Sequence, residues 1–133
     1  MEEINKFMEK WTTDPINGKE IFGNFYKQVA AKKNVKLDFH ARPGVSYSLR
    51  AANAEQTDRP LFVMVDVIDD DPDDRWLSVC FYGDMITDPD ELGDLIPEGL
   101  LGSDGYCFDI TESDPNLVKY IEKRIEEAYT NAG

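Results

Sequence analysis

The residues best suited to chemistry lie on two neighbouring runs of alternating sequence, VKLDFHAR and VSYSLRA. Asp38, His40, Arg42, Ser46, Ser48 and Arg50 share one parity there, so they share one face of a half-buried sheet. The set contains a serine, a histidine and an aspartate, the ingredients of a nucleophilic hydrolase. Such a site needs the histidine to bridge nucleophile and carboxylate at about 2.6–3.2 Å. Asp38 and His40 stand at i and i+2, where strand side chains project in parallel, which makes the bridge awkward. No GxSxG elbow exposes either serine. The plainer reading is a polar strand face with cross-strand pairs, and His40, Arg42, Ser46, Ser48 and Arg50 are the candidate ligand-binding residues on it.

A second cluster is the acidic run Asp69 to Asp74, DDDPDD. Asp69, Asp71 and Asp73 match positions 1, 3 and 5 of a calcium loop. Position 6, normally Gly, is Asp74, and position 12, normally Glu, is Cys80, so this is no EF-hand. Hard divalent cations still take carboxylate oxygens. Asp69, Asp71, Asp73 and Asp74 are therefore the candidate ligands for one weakly bound divalent cation, and no other cofactor is expected. Asp88, Asp90 or Glu91 would join them if the fold brought them near. The competing reading is a solvated hairpin tip whose charge discourages aggregation. Asp66 interrupts an otherwise apolar strand. It either reaches solvent or needs a partner such as Arg50 or Arg75.

Other chemistries are excluded. GLLGSDG lacks the Lys and Ser/Thr of a phosphate loop, and no GxGxxG is present. One His and two Cys without CxxC spacing cannot build a four-ligand Cys/His zinc site. Cys80 and Cys107 read as buried, reduced thiols. The net charge of −13 sets Lys and Arg too low to neutralise phosphates, which argues against nucleic acid and anionic membranes. It allows cations and basic partners. No apolar run approaches the ~20 residues of a membrane span, and the acidic, amphipathic start MEEINKFMEKW is not a signal peptide. A cytoplasmic setting is expected.

The elements that position these residues follow from periodicity. Ile4, Phe7, Met8 and Trp11 fall on one face of a short helix. Asp14-Pro15 reads as a cap with proline at the first helical position, opening a helix from about 16 to 33 that Asn34 stops in the left-handed region. In the first hairpin, a two-residue loop would set polar against apolar residues. The shared parity requires an odd loop of three or five residues. LFVMVDVI and RWLSVCFY form the central hairpin around DDDPDD. Asp88-Pro89-Asp90-Glu91 predicts a capped short helix ending before Pro97. GLLGSDG is then a loop, Tyr106–Ile110 a fifth strand, and Ser113-Asp114-Pro115 the start of a last helix. With 133 residues this makes one α+β domain: an antiparallel sheet of about five strands with helices packed on one face.

The succession HARPGVSYSLRA, a strand, RWLSVCFY, DPDEL, a glycine-bearing strand and a final helix resembles the small bacterial YdhG-like domains of uncharacterised function, over roughly residues 16–130. Pro43 and Tyr47 stand as P-x-x-x-Y where that family has P-x-x-Y, and its lysine-rich lead-in is absent. Some members are described as frataxin-like iron chaperones. The resemblance thus implies an iron-type carrier, without transferring any ligand residue. The residues themselves favour a non-enzymatic module binding a protein or small molecule, as monomer or homodimer. The divalent-metal carrier is the alternative, and a hydrolase using His40 with a strand serine is the third expectation.

Overall fold

Alternating runs can bury one face each only by joining a common sheet, and in the computed structural model, which describes residues 1–132, they do. The chain runs α1 (Glu2–Lys10), α2 (Gly18–Ala30), β1 (Val35–Arg42), β2 (Ser46–Asn53), β3 (Val63–Ile68), β4 (Trp76–Tyr82), β5 (Asp94–Leu100), β6 (Ser103–Ile110) and α3 (Pro115–Ala132). The six strands form one antiparallel sheet in the order β1-β2-β3-β4-β6-β5.

All three helices pack on one face. Ile4, Phe7 and Trp11 of α1 and its C-cap meet Phe22, Phe25 and Val29 of α2 and Ile121, Ile125 and Ala128 of α3 in a single core. The sheet contributes Leu49, Val65, Val67, Leu77, Val79, Phe81, Phe108 and Ile110 to it. Phe7 stacks on Tyr47 at 4.0 Å between ring centroids, which seats α1 over the β1–β2 end. Burying a side chain of this size contributes about 1.5–3 kcal/mol.

The β1–β2 connection has three residues, 43 to 45, with Arg42 paired to Ser46 and Gly44 at φ 85°. The odd loop required by parity is thus present, and like faces like across the hairpin. The helix expected to reach Lys33 instead ends at Ala30 with Ala31 as its cap, and Asn34, at φ 59°, turns the chain into β1 rather than stopping α2.

Four further expectations need correction. First, α2 starts at Gly18, because Asn17 at φ 60° breaks the turn begun by Pro15. Asp14 still caps the helix, accepting from the Gly18 amide at 2.7 Å and the Lys19 amide at 3.1 Å. Second, the expected helix after Asp88 is a turn leading into strand β5. The Asp88 carboxylate accepts from the Leu92 and Gly93 amides, and Glu91 sits at φ 52°, so no helical turn propagates. Pro97 is accommodated because β5 is an edge strand. Third, GLLGSDG is the β5–β6 turn with its flanks, so the sheet has six strands. Leu101 and Gly102 carry positive φ at the turn, as a tight hairpin requires. Fourth, Cys80 and Cys107 are not free thiols. They face each other in the β4–β6 register and form a disulfide.

Candidate functional site

No helix covers the second face of the sheet, and its register arranges side chains in rows across the strands. One row reads His40, Ser48, Asp66, Ser78 and Asp109, from β1 through β2, β3 and β4 to β6. A second reads Asp38, Arg50, Met64, Cys80, Cys107 and Asp94. A third reads Arg42, Ser46, Ile68 and Trp76. All five candidate ligand-binding residues therefore converge on the β1–β2 half of this face. Ser78, Asp109, Asp94 and Trp76 complete it. Their parity was legible in the sequence, but their alignment depends on the β3–β4 and β4–β6 registers, which no local signal specifies.

Although no helix lies above them, Ser46 and Ser48 are only 4% and 2% exposed. Their hydroxyls are engaged. Ser46 Oγ accepts from Arg42 at 3.3 Å, and Ser48 Oγ accepts from Arg50 Nε at 3.3 Å. Ser48 also stands beside the Asp66 carboxylate in the β2–β3 register and helps to lower its pKa. His40 Nε2 shares a 2.9 Å hydrogen bond with Asp38 Oδ2, so the i, i+2 pair does meet. Histidine and carboxylate are thus joined, and among the described residues the serine hydroxyls bond to Arg42 and Arg50, with no hydrogen bond to His40.

Asp66 is the centre of the face. Burial pushes its carboxyl above the usual range, and the Ser48 hydroxyl with the Arg50 and Arg42 charges pulls it only partly back. Its Oδ1 is buried without a hydrogen-bond partner. Of the partners expected, Arg50 acts through its charge, while Arg75 is engaged elsewhere. Asp109 is also raised, by burial first, against a hydrogen bond from Ser78, with Asp94 adding to the rise. Among the described residues, Arg42 and Arg50 have no carboxylate within ion-pair distance, although Asp38 stands opposite Arg50 in the register. A cavity of about 430 Å³ opens beside Arg50, lined also by Lys36, Asp38, Ala52, Leu61 and Leu101.

The acidic loop is divided in two. Asp69 is buried: its Oδ1 accepts from Arg75 Nε at 2.7 Å and its Oδ2 from the Gly44 amide at 2.8 Å. Arg75 in turn lies 5.3 Å from the Phe7 ring centroid and 5.6 Å from those of Trp11 and Tyr47. Asp69 is therefore a structural anion and not a free metal ligand. Asp71 Oδ1 accepts from the Asp73 amide at 3.0 Å, closing a turn whose other carboxylates, Asp70, Asp73 and Asp74, are exposed. Among the described residues no group of three His, Cys, Asp or Glu is placed to hold a metal ion. No helix among them is long and apolar enough to cross a membrane.

A further cleft of about 510 Å³ lies at the β5 edge, lined by Gly83, Ile86, Asp88, Glu91, Gly93, Leu95 and Tyr106. Nothing in the sequence marks it, because Asp88-Pro89-Asp90-Glu91 reads as a helix start. Burial alone would raise the Asp88 carboxyl, but hydrogen bonds from the Tyr120 hydroxyl and the Gly93 and Leu92 amides, with the Arg124 charge, hold it below the usual range.

The open antiparallel sheet with helices on one face defines a two-layer α+β protein with a polar, arginine- and aspartate-bearing sheet surface. No family model matches the chain, and neither the curated proteins nor the solved structures compared with it give a match.

Proposed function

We propose that this protein is a non-enzymatic binding module whose open sheet face recognises a protein or small ligand. The observation that supports this reading is the half-satisfied group at its centre. A buried Asp66 oxygen without a partner lies beside Arg50 and Arg42, neither of which has an ion-pair partner among the described residues. An unpaired buried acceptor costs about 1–3 kcal/mol, a cost that a bound donor removes. A complementary ligand offers an N–H to Asp66 and an oxygen to the guanidinium groups, as an amide or an amino acid does.

The test is a residue-resolved NMR titration with a panel of amides and amino acids. Saturable shifts confined to Ser48, Arg50, Asp66 and Ser78, lost in Arg50→Ala, are the expected result. Turnover of ester substrates that disappears in His40→Ala would instead establish the hydrolase. The iron-type carrier implied by the YdhG-like resemblance is the alternative. It requires saturable binding of ferrous, magnesium or calcium ions that weakens when Asp71, Asp73 and Asp74 become Asn; with Asp69 committed to Arg75, shifts there should be diffuse. We place the protein in the cytoplasm, where thiols are generally kept reduced. A Cys80–Cys107 bridge that survives trapping with an alkylating agent at cell lysis would count against that setting.

A further inference from the structure

The β5 edge carries a surface distinct from the open face. Among the exposed large hydrophobic residues described, Leu92, Leu95 and Ile96 lie on β5 or its approach, at 48, 51 and 41% exposure, while Leu101 at the hairpin turn lines the cavity beside Arg50. Leu95 reaches into the 510 Å³ cleft, whose apolar lining also includes Ile86 and Tyr106. A Cβ on Gly83 would lie 2.9 Å from the Tyr106 ring, so the absent side chain leaves room for that ring. The rim is held to α3: Glu127 accepts from the Thr87 amide and hydroxyl at 2.7 Å, and the Tyr120 hydroxyl donates to Asp88. The cleft is thus built before any partner arrives, which lowers the cost of binding.

Charge selects the occupant. From Trp76 to Val118 the sequence has ten carboxylates and no Lys, Arg or His, so this segment supplies ten of the thirteen net negative charges. Glu91 lines the cleft, and among the described residues it has no ion-pair partner. A second copy of this chain would set two such acidic edges against each other, and nucleic acid is repelled by the same charge. Strand addition is disfavoured as well, because Pro97 lacks an amide hydrogen and the β5–β6 register shifts between Ile96 and Leu100. Recognition is therefore through side chains.

We infer that the β5 edge docks a basic protein, one of whose Lys or Arg side chains lays its aliphatic stem along Leu95 and Tyr106 and sets its charge against Glu91. A long basic side chain is suited to such a cleft, apolar along the stem and ionic at the tip. The surrounding carboxylates would also steer a cationic partner at long range, with a rate that falls as salt rises.

The experiment uses the full chain and a defined probe, a short synthetic peptide alternating Leu with Lys and Arg, followed by NMR. Two controls are an oligolysine peptide and a peptide with Leu alternating with Glu. The expected result is saturable shifts at Gly83, Glu91, Leu95 and Tyr106, with no comparable response to either control. Affinity should fall at least fivefold in Leu95→Ser and, separately, in Glu91→Gln, and remain unchanged in Arg50→Ala. Equal binding of oligolysine, or indifference to Leu95→Ser, would overturn the inference in favour of unspecific charge attraction. A homodimer in sedimentation that dissociates in Leu95→Ser would overturn it in favour of self-association. Peptide shifts centred on Ser48 and Asp66 would overturn it while leaving the open-face reading intact.

Discussion

The two edges of the sheet are built to opposite specifications. On β1 the apolar residues Leu37 and Phe39 turn toward the helices, and Lys36, Asp38, His40 and Arg42 occupy exposed positions. Charged side chains of both signs along an unpaired strand discourage adventitious pairing. On β5 the exposed positions include Leu95 and Ile96, with no cation nearby in sequence. The β1 end is also clamped, since α1 stacks on Tyr47 and the Arg75–Asp69 pair lies under its aromatic residues. Close packing and exposed apolar surface are thus segregated to opposite ends of one sheet.

The largest expected effect lies at the Arg75–Asp69 clamp. Both side chains of the Arg75–Asp69 pair are largely buried. Removing one partner of such a pair leaves the other charge uncompensated, which typically costs about 3–5 kcal/mol. Arg75→Ala and Asp69→Ala should each lower stability by that order in urea unfolding, and the double variant by less than the sum, since the two share one interaction. A loss below about 1 kcal/mol in both would show that the clamp is ornamental and that the two ends are equivalent.

The next effect tests what joins the halves. The disulfide ties β4 to β6 across 27 residues that include the whole β5 excursion. Cross-linking a loop of that size restricts the unfolded chain by about 3 kcal/mol. Reduction, or Cys80→Ser with Cys107→Ser, should lower the urea midpoint accordingly while leaving the β1–β2 amides exchanging only with global unfolding. Early exchange confined to β5 and β6 would sharpen the contrast, because it would show the acidic edge opening as its own unit.

The contrast also explains how much was readable beforehand. The β1–β2 end was legible because the alternation on either side of Pro43-Gly44, from Val35 to Ala51, fixes the face and the odd parity of the loop, though not the choice of three residues over five. The β5 end was not. Asp88-Pro89-Asp90-Glu91 carries every local mark of a helix start, yet Asp88 spends both oxygens on the Leu92 and Gly93 amides and the Tyr120 hydroxyl. That last partner is 32 residues away. The setting of Asp69 was illegible for the same reason: its neighbours in sequence are solvated carboxylates, and its partners are the Arg75 guanidinium and the Gly44 amide in a different turn. Cys80 and Cys107 meet only through the β4–β6 register. The candidate polar face was named at its β1–β2 half and missed at Ser78 and Asp109, where register, not pattern, decides.

Between the two edges, Asp66 gives a smaller effect with a defined sign. Burial holds its folded carboxyl above the unfolded value of 3.8, so the folded state binds that proton more tightly than the unfolded chain does. Its contribution is fully present below the unfolded value and is lost as pH rises through the folded one. Asp66→Asn resembles the protonated side chain. At pH 7 it should be more stable than the parent by about 1 kcal/mol, the order of an unpaired buried acceptor. That gain should fade as pH falls toward 4, as measured by urea midpoints over the range. A variant that is less stable at pH 7 would mean that the Arg42 and Arg50 charges dominate, and that the centre of the face is an ion pair rather than an open acceptor.

The smallest expected change in stability falls on β5, and its smallness is the point. Leu95 is half exposed, so Leu95→Ser removes little buried area and should shift the urea midpoint by no more than about 0.5 kcal/mol, as surface substitutions generally do. The matched change on the other edge is Phe39→Ala. There a buried ring packs beside Phe7 and Tyr47, and the cost should be about 3–5 kcal/mol. If Leu95→Ser instead destabilises by a comparable amount, Leu95 belongs to the core and the β5 edge is no free surface. If stability is unchanged while the basic peptide is released, exposure of an apolar residue at an acidic edge is maintained for a partner and not for the fold, because a residue that contributes nothing to stability gains nothing from remaining leucine.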